Sequence, residues 1–300
     1  MINQLIASTI PALPKWFVRF FSGPYVAGET IENALAHVEK INDCGFAATI
    51  DILGEHTMKI ETARSITSDY CDIYNKINQR SLDCSLSIKP THLGLDISFE
   101  VAKNNFERII TDAEKFSNFL RFDMENSSHT DDTLRIYNHC LKKYSKVGVV
   151  FQAYLKRSIS DIDRLAKPGF NARICKGIYK ENSSIAYQDP EQIRNNFLKM
   201  VEIMIIKKAY TCYATHDQGL IDRILRLIKK YKLGKDKFEF QVLYGVPMNG
   251  RLEELIENGY KVRVYVPYGS DWYDYSLRRL KENPDIAGYV IKNIFSRNAY

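Results

Sequence analysis

The sequence predicts an α/β chain folded as a (βα)8 barrel of the TIM type, and three observations carry that prediction. Eight short apolar runs rich in β-branched and aromatic residues recur along the chain, segments of helical periodicity lie between them, and no composition break divides the 300 residues. A doubly wound open sheet is the structural alternative, but eight regular units favour closure. The whole chain reads as one domain, with residues 1–45 as a helical extension and residues 46–300 as the barrel.

The strands are read in order from FAATIDILGE (46–55), CSLSIKP (84–90), FLRFDMEN (119–126), VGVVFQAYL (147–155), ARICKGIY (172–179), TCYATHD (211–217), FEFQVLYG (238–245) and KVRVYVPYG (261–269). Helical periodicity marks EVAKNNFERIITDAEKF, TLRIYNHCLKKY, IRNNFLKMVEIMIIKKA and LIDRILRLIKKYKL between them. Thr130, Asp131 and Asp132 signal a start just before the third connecting helix, and Gly259 a stop after RLEELIEN. DIAGYVIKNIF, beyond Pro284, reads as a closing helix over the barrel mouth.

Composition narrows the function classes. Hydrophobic content of 45% and charged content of 26% are ordinary for a globular protein, and a net charge of +6 does not by itself imply nucleic acid. No stretch approaches the roughly 20 apolar residues that a spanning helix needs. No secretory signal is expected at the start, where KWFVRFF (15–21) reads as aromatic packing rather than a membrane-surface segment. The six cysteines form no C-x-x-C pair and read as reduced thiols of a cytosolic protein. Without H-E-x-x-H spacing no metal site is expected, and neither the dinucleotide nor the P-loop glycine pattern occurs. The basic run from Arg223 to Lys237 reads as a solvated face away from the barrel's working end.

Catalytic residues of such barrels stand at the carboxyl ends of the strands. Here those ends carry Asp51 and Glu55, Lys89, Asp123 and Glu125, Gln152, Arg173 and Lys176, His216 and Asp217, Gln241, and Tyr265. Each such group costs free energy if buried without a partner, so their recurrence points to a large polar ligand, or two ligands, above the barrel. After the eighth strand, Tyr275, Arg278, Arg279 and Glu282 share one helix face at spacings of three, four and seven. Paired guanidinium groups bind a planar carboxylate or a phosphate. No glycine-rich loop follows strand seven or eight, so with Lys89 and the phenol ring the face suits a small acid with an apolar body.

SIKPTHLGL, RFDMEN, FQAYLKRS, RICKGIYKE, YATHD, FEFQVLYGV and VRVYVPYGSDWYDYSLRRLKENP together resemble the ordered motif set of proline dehydrogenases, over about residues 40–295. R-x-x-K-G-x-Y followed by A-T-H, and the terminal Y-x-x-R-R-x-x-E, are the most specific parts. The length resembles the monofunctional bacterial form. Pro90 stands where leucine is more usual and Cys175 precedes the lysine, and neither change removes a side chain the chemistry needs.

The resemblance implies an FAD enzyme that oxidises L-proline to 1-pyrroline-5-carboxylate by hydride transfer to flavin N5. It implies a membrane quinone as electron acceptor and a hand-over of product to 1-pyrroline-5-carboxylate dehydrogenase. It also implies a cytoplasmic location, peripheral on the inner face of the membrane. By motif, Asp123 and Arg173 are the catalytic residues. Lys89, Arg278 and Arg279 would hold the substrate carboxylate, with Tyr265, Tyr275 and Leu243 around the ring. Met124, Gln152, Arg173, Lys176, Gly177, Ile178, Thr215, His216, Gln241 and Glu282 would contact the cofactor. Two rival readings are a Schiff-base aldolase on Lys176 or Lys89 and a non-catalytic carboxylate-binding protein.

Overall fold

In the computed structural model, Gly23, residues 25–273 and residues 275–277 are described. The closing helix beyond Pro284, the segment KWFVRFF, Arg278, Arg279 and Glu282 lie outside them. The elements in chain order are α1 (Ile31–Asp43), β1 (Ala47–Ile52), α2 (Ile60–Gln79), β2 (Cys84–Ile88), α3 (Phe99–Lys115), β3 (Leu120–Phe122) and α4 (Thr130–Leu141). They continue with β4 (Val147–Gln152), α5 (Ser158–Leu165), β5 (Asn171–Cys175), α6 (Pro190–Ile206), β6 (Tyr210–Ala214), α7 (Gln218–Lys230), β7 (Phe238–Leu243), α8 (Arg251–Glu257) and β8 (Val262–Tyr268).

Helix starts follow local chemistry. Ser98 accepts from the Val101 amide, Asp189 from that of Gln192 with Pro190 in the first turn, and Asp217 from that of Leu220. Thr130, Asp131 and Asp132 form the first turn of α4 rather than preceding it, because a 3-10 turn at Ser127–His129 leads the chain in.

All eight strands pair in parallel in sequence order, and β8 returns to β1 with Ala47 opposite Arg263 and Ile52 opposite Tyr268. The sheet is therefore a closed barrel. Helix α1 packs across β1 and β8, where the barrel closes.

Alternation along the strands separates two environments. Ala48, Ile50, Leu86, Ile88, Phe122, Val149 and Ile174 belong to the apolar shell that the helices cover, where Phe122 stacks on Phe106 at 4.4 Å. Most of the residues that alternate with them are polar and point inward: Thr49, Asp51, Ser85, Ser87, Arg121, Asp123, Asn171, Arg173, Glu239, Gln241, Arg263 and Tyr265. Barrels of this class more often fill their interior with branched apolar side chains. Here the interior is a hydrogen-bonded network.

Candidate active site

Donors from three strands converge on Asp123. Its Oδ1 accepts from the Ser87 hydroxyl at 2.6 Å and from Arg173 Nη1 at 2.7 Å, and its Oδ2 accepts from the Tyr265 hydroxyl at 3.0 Å. Arg173 is buried, donates Nε–H to Gln241 Oε1 at 2.6 Å, and holds its guanidinium 5.2 Å from the Tyr265 ring centre. Burial works against the Arg173 charge, but Asp123 and Tyr265 overcome it and leave the pKa above its ordinary value. For Tyr265, burial and then the Asp123 and Asp51 carboxylates push the phenol well above its usual range, so it remains a donor. Beside this cluster Lys89 Nζ donates to Asp51 Oδ2 at 2.6 Å. Burial opposes the charge of Lys89, and the Asp51 and Asp123 carboxylates restore it.

An arc of polar groups follows along β4 to β7. Gln152 donates to the backbone carbonyl of Glu125 at 2.7 Å. The Glu125 carboxylate accepts from the Thr91 amide at 2.9 Å and from the Thr91 hydroxyl, and burial raises its pKa to about 7. Lys176 and Arg194 both donate to Asp217 Oδ2. Burial opposes the Asp217 charge, and those two cations overcome it and hold the carboxyl at about 2. The Leu243 amide donates to His216 Nε2 at 2.9 Å. An accepting Nε2 is unprotonated, so His216 is neutral with its proton on Nδ1. Gly177 has φ +101°, and a Cβ there would fall 1.9 Å from the Tyr154 ring. The loop after β5 therefore requires glycine for both conformation and space.

The proline dehydrogenase family model matches residues 34–292. The chain belongs to the proline dehydrogenase family. Proline dehydrogenase 1 of Bacillus subtilis (strain 168) is 37% identical over 273 residues, covering 91% of this chain and 90% of that one. The proline dehydrogenase of Deinococcus radiodurans is 33% identical over 275 residues, covering 90% and 88%. Those relatives are of monofunctional length. Among solved structures, proline utilization A of Bdellovibrio bacteriovorus superposes with a TM-score of 0.82 at 21% identity, covering 93% of this chain and 34% of that one. The barrel is thus shared with a protein of which this chain spans about a third.

Within this proline dehydrogenase barrel, most of the residues singled out from sequence gather at one end. Asp123, Arg173, Gln241 and Tyr265 form the interior cluster through the contacts given above, with Lys89 beside it on Asp51. Gln152, Lys176, Gly177, Thr215, His216 and Leu243 follow the rim from β4 to β7. Thr215 is buried and its hydroxyl accepts from the Asp217 amide at 3.2 Å. Met124 is buried directly after β3, whereas Ile178 is 53% exposed, an apolar side chain facing outward amid the polar rim. Tyr275 is buried in the helical turn after β8. Arg278, Arg279 and Glu282 fall outside the described residues.

Sequence reasoning passed over Ser87 and Glu239. Both lie two residues from a named one, Lys89 and Gln241, so inward alternation was the signal that marks them. It likewise left Asp51, Glu125 and Asp217 as polar strand ends without partners. The structure pairs them with Lys89, Thr91 and Lys176. In the loops that follow β1, β2 and β3, His56, Asp96 and His129 bring donor atoms within 4.8 Å of one another, and His56 Nδ1 lies 2.8 Å from Asp96 Oδ2. Hydrogen bonding within that trio accounts for its geometry.

Proposed function

We propose that the protein oxidises L-proline to 1-pyrroline-5-carboxylate with FAD as its resident cofactor and a membrane quinone as electron acceptor. The observation that carries this reading is the Asp123–Arg173–Tyr265–Ser87 cluster. It is a buried, hydrogen-bonded polar floor beneath the mouth of a proline dehydrogenase barrel.

The residues fit a flavin. Gln152, Lys176 and His216 Nδ1–H form an arc of donors along the rim, and Ile178 offers an exposed apolar surface beside it. FAD, when bound, supplies the two-electron acceptor for the hydride that leaves the proline ring carbon next to nitrogen. Arg173 contributes a fixed positive charge beside that acceptor, which favours negative charge arriving there. Asp123 holds Arg173 and the Tyr265 hydroxyl in place, and the Tyr265 ring, with Leu243 and Tyr275, walls the substrate. Lys89, carried on β2 and steadied by Asp51, joins Arg278 and Arg279 in holding the substrate carboxylate. Gly177 lets the loop backbone run close over Tyr154, with Met124, Gln241, Thr215 and Glu282 completing the cofactor's surroundings.

The aldolase reading needs an unprotonated amine. Lys89 and Lys176 each donate to a carboxylate, and Lys89 is held charged. Among the described residues no helix is long and apolar enough to cross a membrane. A peripheral, cytoplasm-facing location is the proposal that matches a quinone acceptor, with product passed on to 1-pyrroline-5-carboxylate dehydrogenase. The test is the visible spectrum of the purified protein. Bound FAD should bleach when proline is added without oxygen. A colourless protein that FAD does not reconstitute would sink this reading.

A further inference from the structure

The barrel interior is layered. One layer below Asp51, Ser87, Asp123, Arg173, Gln241 and Tyr265, each strand places another inward residue two positions earlier. They are Thr49, Ser85, Arg121, Asn171, Glu239 and Arg263. These six line a chamber of about 150 Å³ towards the amino ends of the strands, reaching up to Arg173 and opening beside Lys261.

Charge in this lower layer does not balance. Arg263 Nε donates to Glu239 at 2.8 Å, and Glu239 also receives the Gln241 amide and the Tyr210 hydroxyl. Burial opposes the charge of Glu239, and Arg263 overcomes it and holds the carboxyl at about 2. Arg121 is 3% exposed and, among the described residues, has no carboxylate within ion-pairing distance. Its donors meet only neutral groups: the carbonyls of Val149 and Asn171, Asn171 Oδ1 at 2.7 Å and Cys212 Sγ at 3.2 Å. Burial pushes the Cys212 thiol up to about 12, so it stays neutral. Arg121 Nε is buried with no hydrogen-bond partner among the described residues.

The fold nonetheless makes room for this guanidinium. Phe119 covers one face with its ring centre 4.7 Å away, and a Cβ at Gly148 would come within 2.3 Å of Arg121 Nη1. A guanidinium does not deprotonate in a protein, and an uncompensated buried charge is costly.

We propose that this chamber is a binding site for a small monovalent inorganic anion, chloride being the representative, held by Arg121. One unpaired positive charge calls for one negative charge. A multiply charged anion would also face the Glu239 carboxylate. Water occupies about 30 Å³ per molecule in the liquid, so the chamber accommodates a halide with several waters.

Bromide substitutes for chloride and is visible by its anomalous scattering. Crystals of the cofactor-loaded protein in bromide should show a peak within hydrogen-bonding distance of the Arg121 guanidinium. A map without that peak at saturating bromide overturns the proposal, and needs no variant that folds. In solution, replacing gluconate by chloride at constant ionic strength should raise the melting temperature by about 3 °C once the anion exceeds its dissociation constant tenfold. That rise should vanish in Arg121→Met. Equal melting of the parent in the two salts, or an undiminished rise in the variant, overturns the assignment to Arg121.

Discussion

Asp123 shows how one carboxylate organises a buried site. Three donors from β2, β5 and β8 reach it, and one of them is a guanidinium with almost no access to water. Removing one partner of such a pair leaves the other charged in a poor solvent, which typically costs about 3–5 kcal/mol. Asp123→Ala should destabilise by that order in urea denaturation. Combining it with Arg173→Met should cost at least about 1 kcal/mol less than the two single losses added. Additive losses would mean that the pair is not coupled. Glu125 gives a pH signature of the opposite sign to a salt-bridged carboxylate. Its pKa is raised from 4.5 to about 7 by burial, so the folded state binds a proton that the unfolded state has released. The stabilisation is complete below about 4.5 and is lost as pH rises through 7, about 3 kcal/mol in all. Melting temperature should therefore fall between pH 5 and pH 8, and Glu125→Gln should flatten that slope.

Elements set which of these side chains meet. Along β5, Asn171 and Arg173 face the interior while Ala172 and Ile174 join the apolar shell, so a two-residue period gives Asn171 to Arg121 and Arg173 to Asp123. Where β5 ends, the chain turns at Gly177 against the Tyr154 ring, and this contact sets the height of the loop carrying Lys176 and Ile178. Gly177→Ala combines a φ of +101° with a Cβ 1.9 Å from a ring carbon, so the loop must move. The expected outcome is lower FAD content after purification, read from visible absorbance, with far-ultraviolet circular dichroism unchanged. An unaltered flavin-to-protein ratio would show that the loop does not touch the cofactor. At α3 the loss should be of another kind. Ser98→Ala removes a cap and should cost about 1 kcal/mol of stability without changing proline turnover.

At the scale of the molecule, closure of β8 on β1 brings the last strand beside the first, and α1 packs over the join. The chain then leaves β8 at the mouth, where Trp272, Tyr273 and Tyr275–Leu277 are helical. Arg278 and Arg279 follow directly in sequence, outside the described residues, and the proposed function assigns them, with Lys89, to the substrate carboxylate. A charge-assisted hydrogen bond is worth about 1.5–3 kcal/mol, which is roughly tenfold or more in affinity. Arg278→Met and Arg279→Met should each raise the KM for proline by at least about that factor, and lysine should rescue only in part because it lacks the planar fork. Unchanged saturation by proline in both variants would remove them from the carboxylate site.

Periodicity along the sequence by itself determined the eight strands, their order and the barrel class, because a two-residue alternation and a helical repeat are local properties of the chain. The motif order likewise marked Lys89, Asp123, Arg173, His216, Gln241 and Tyr265 before any contact was visible. Pairing was not legible. That Asp123 takes Arg173, Tyr265 and Ser87, that Lys89 takes Asp51, and that Lys176 takes Asp217 depends on residues 36 to 142 positions apart brought together by closure. The tautomer of His216 depends on an amide from the next strand, and the raised pKa of Glu125 on burial. That Arg121 meets no carboxylate among the described residues is likewise invisible in sequence, since RFDMEN sets it two residues from an aspartate. Tertiary structure gives that aspartate to Arg173, because alternate inward residues on a strand lie in different layers of the barrel.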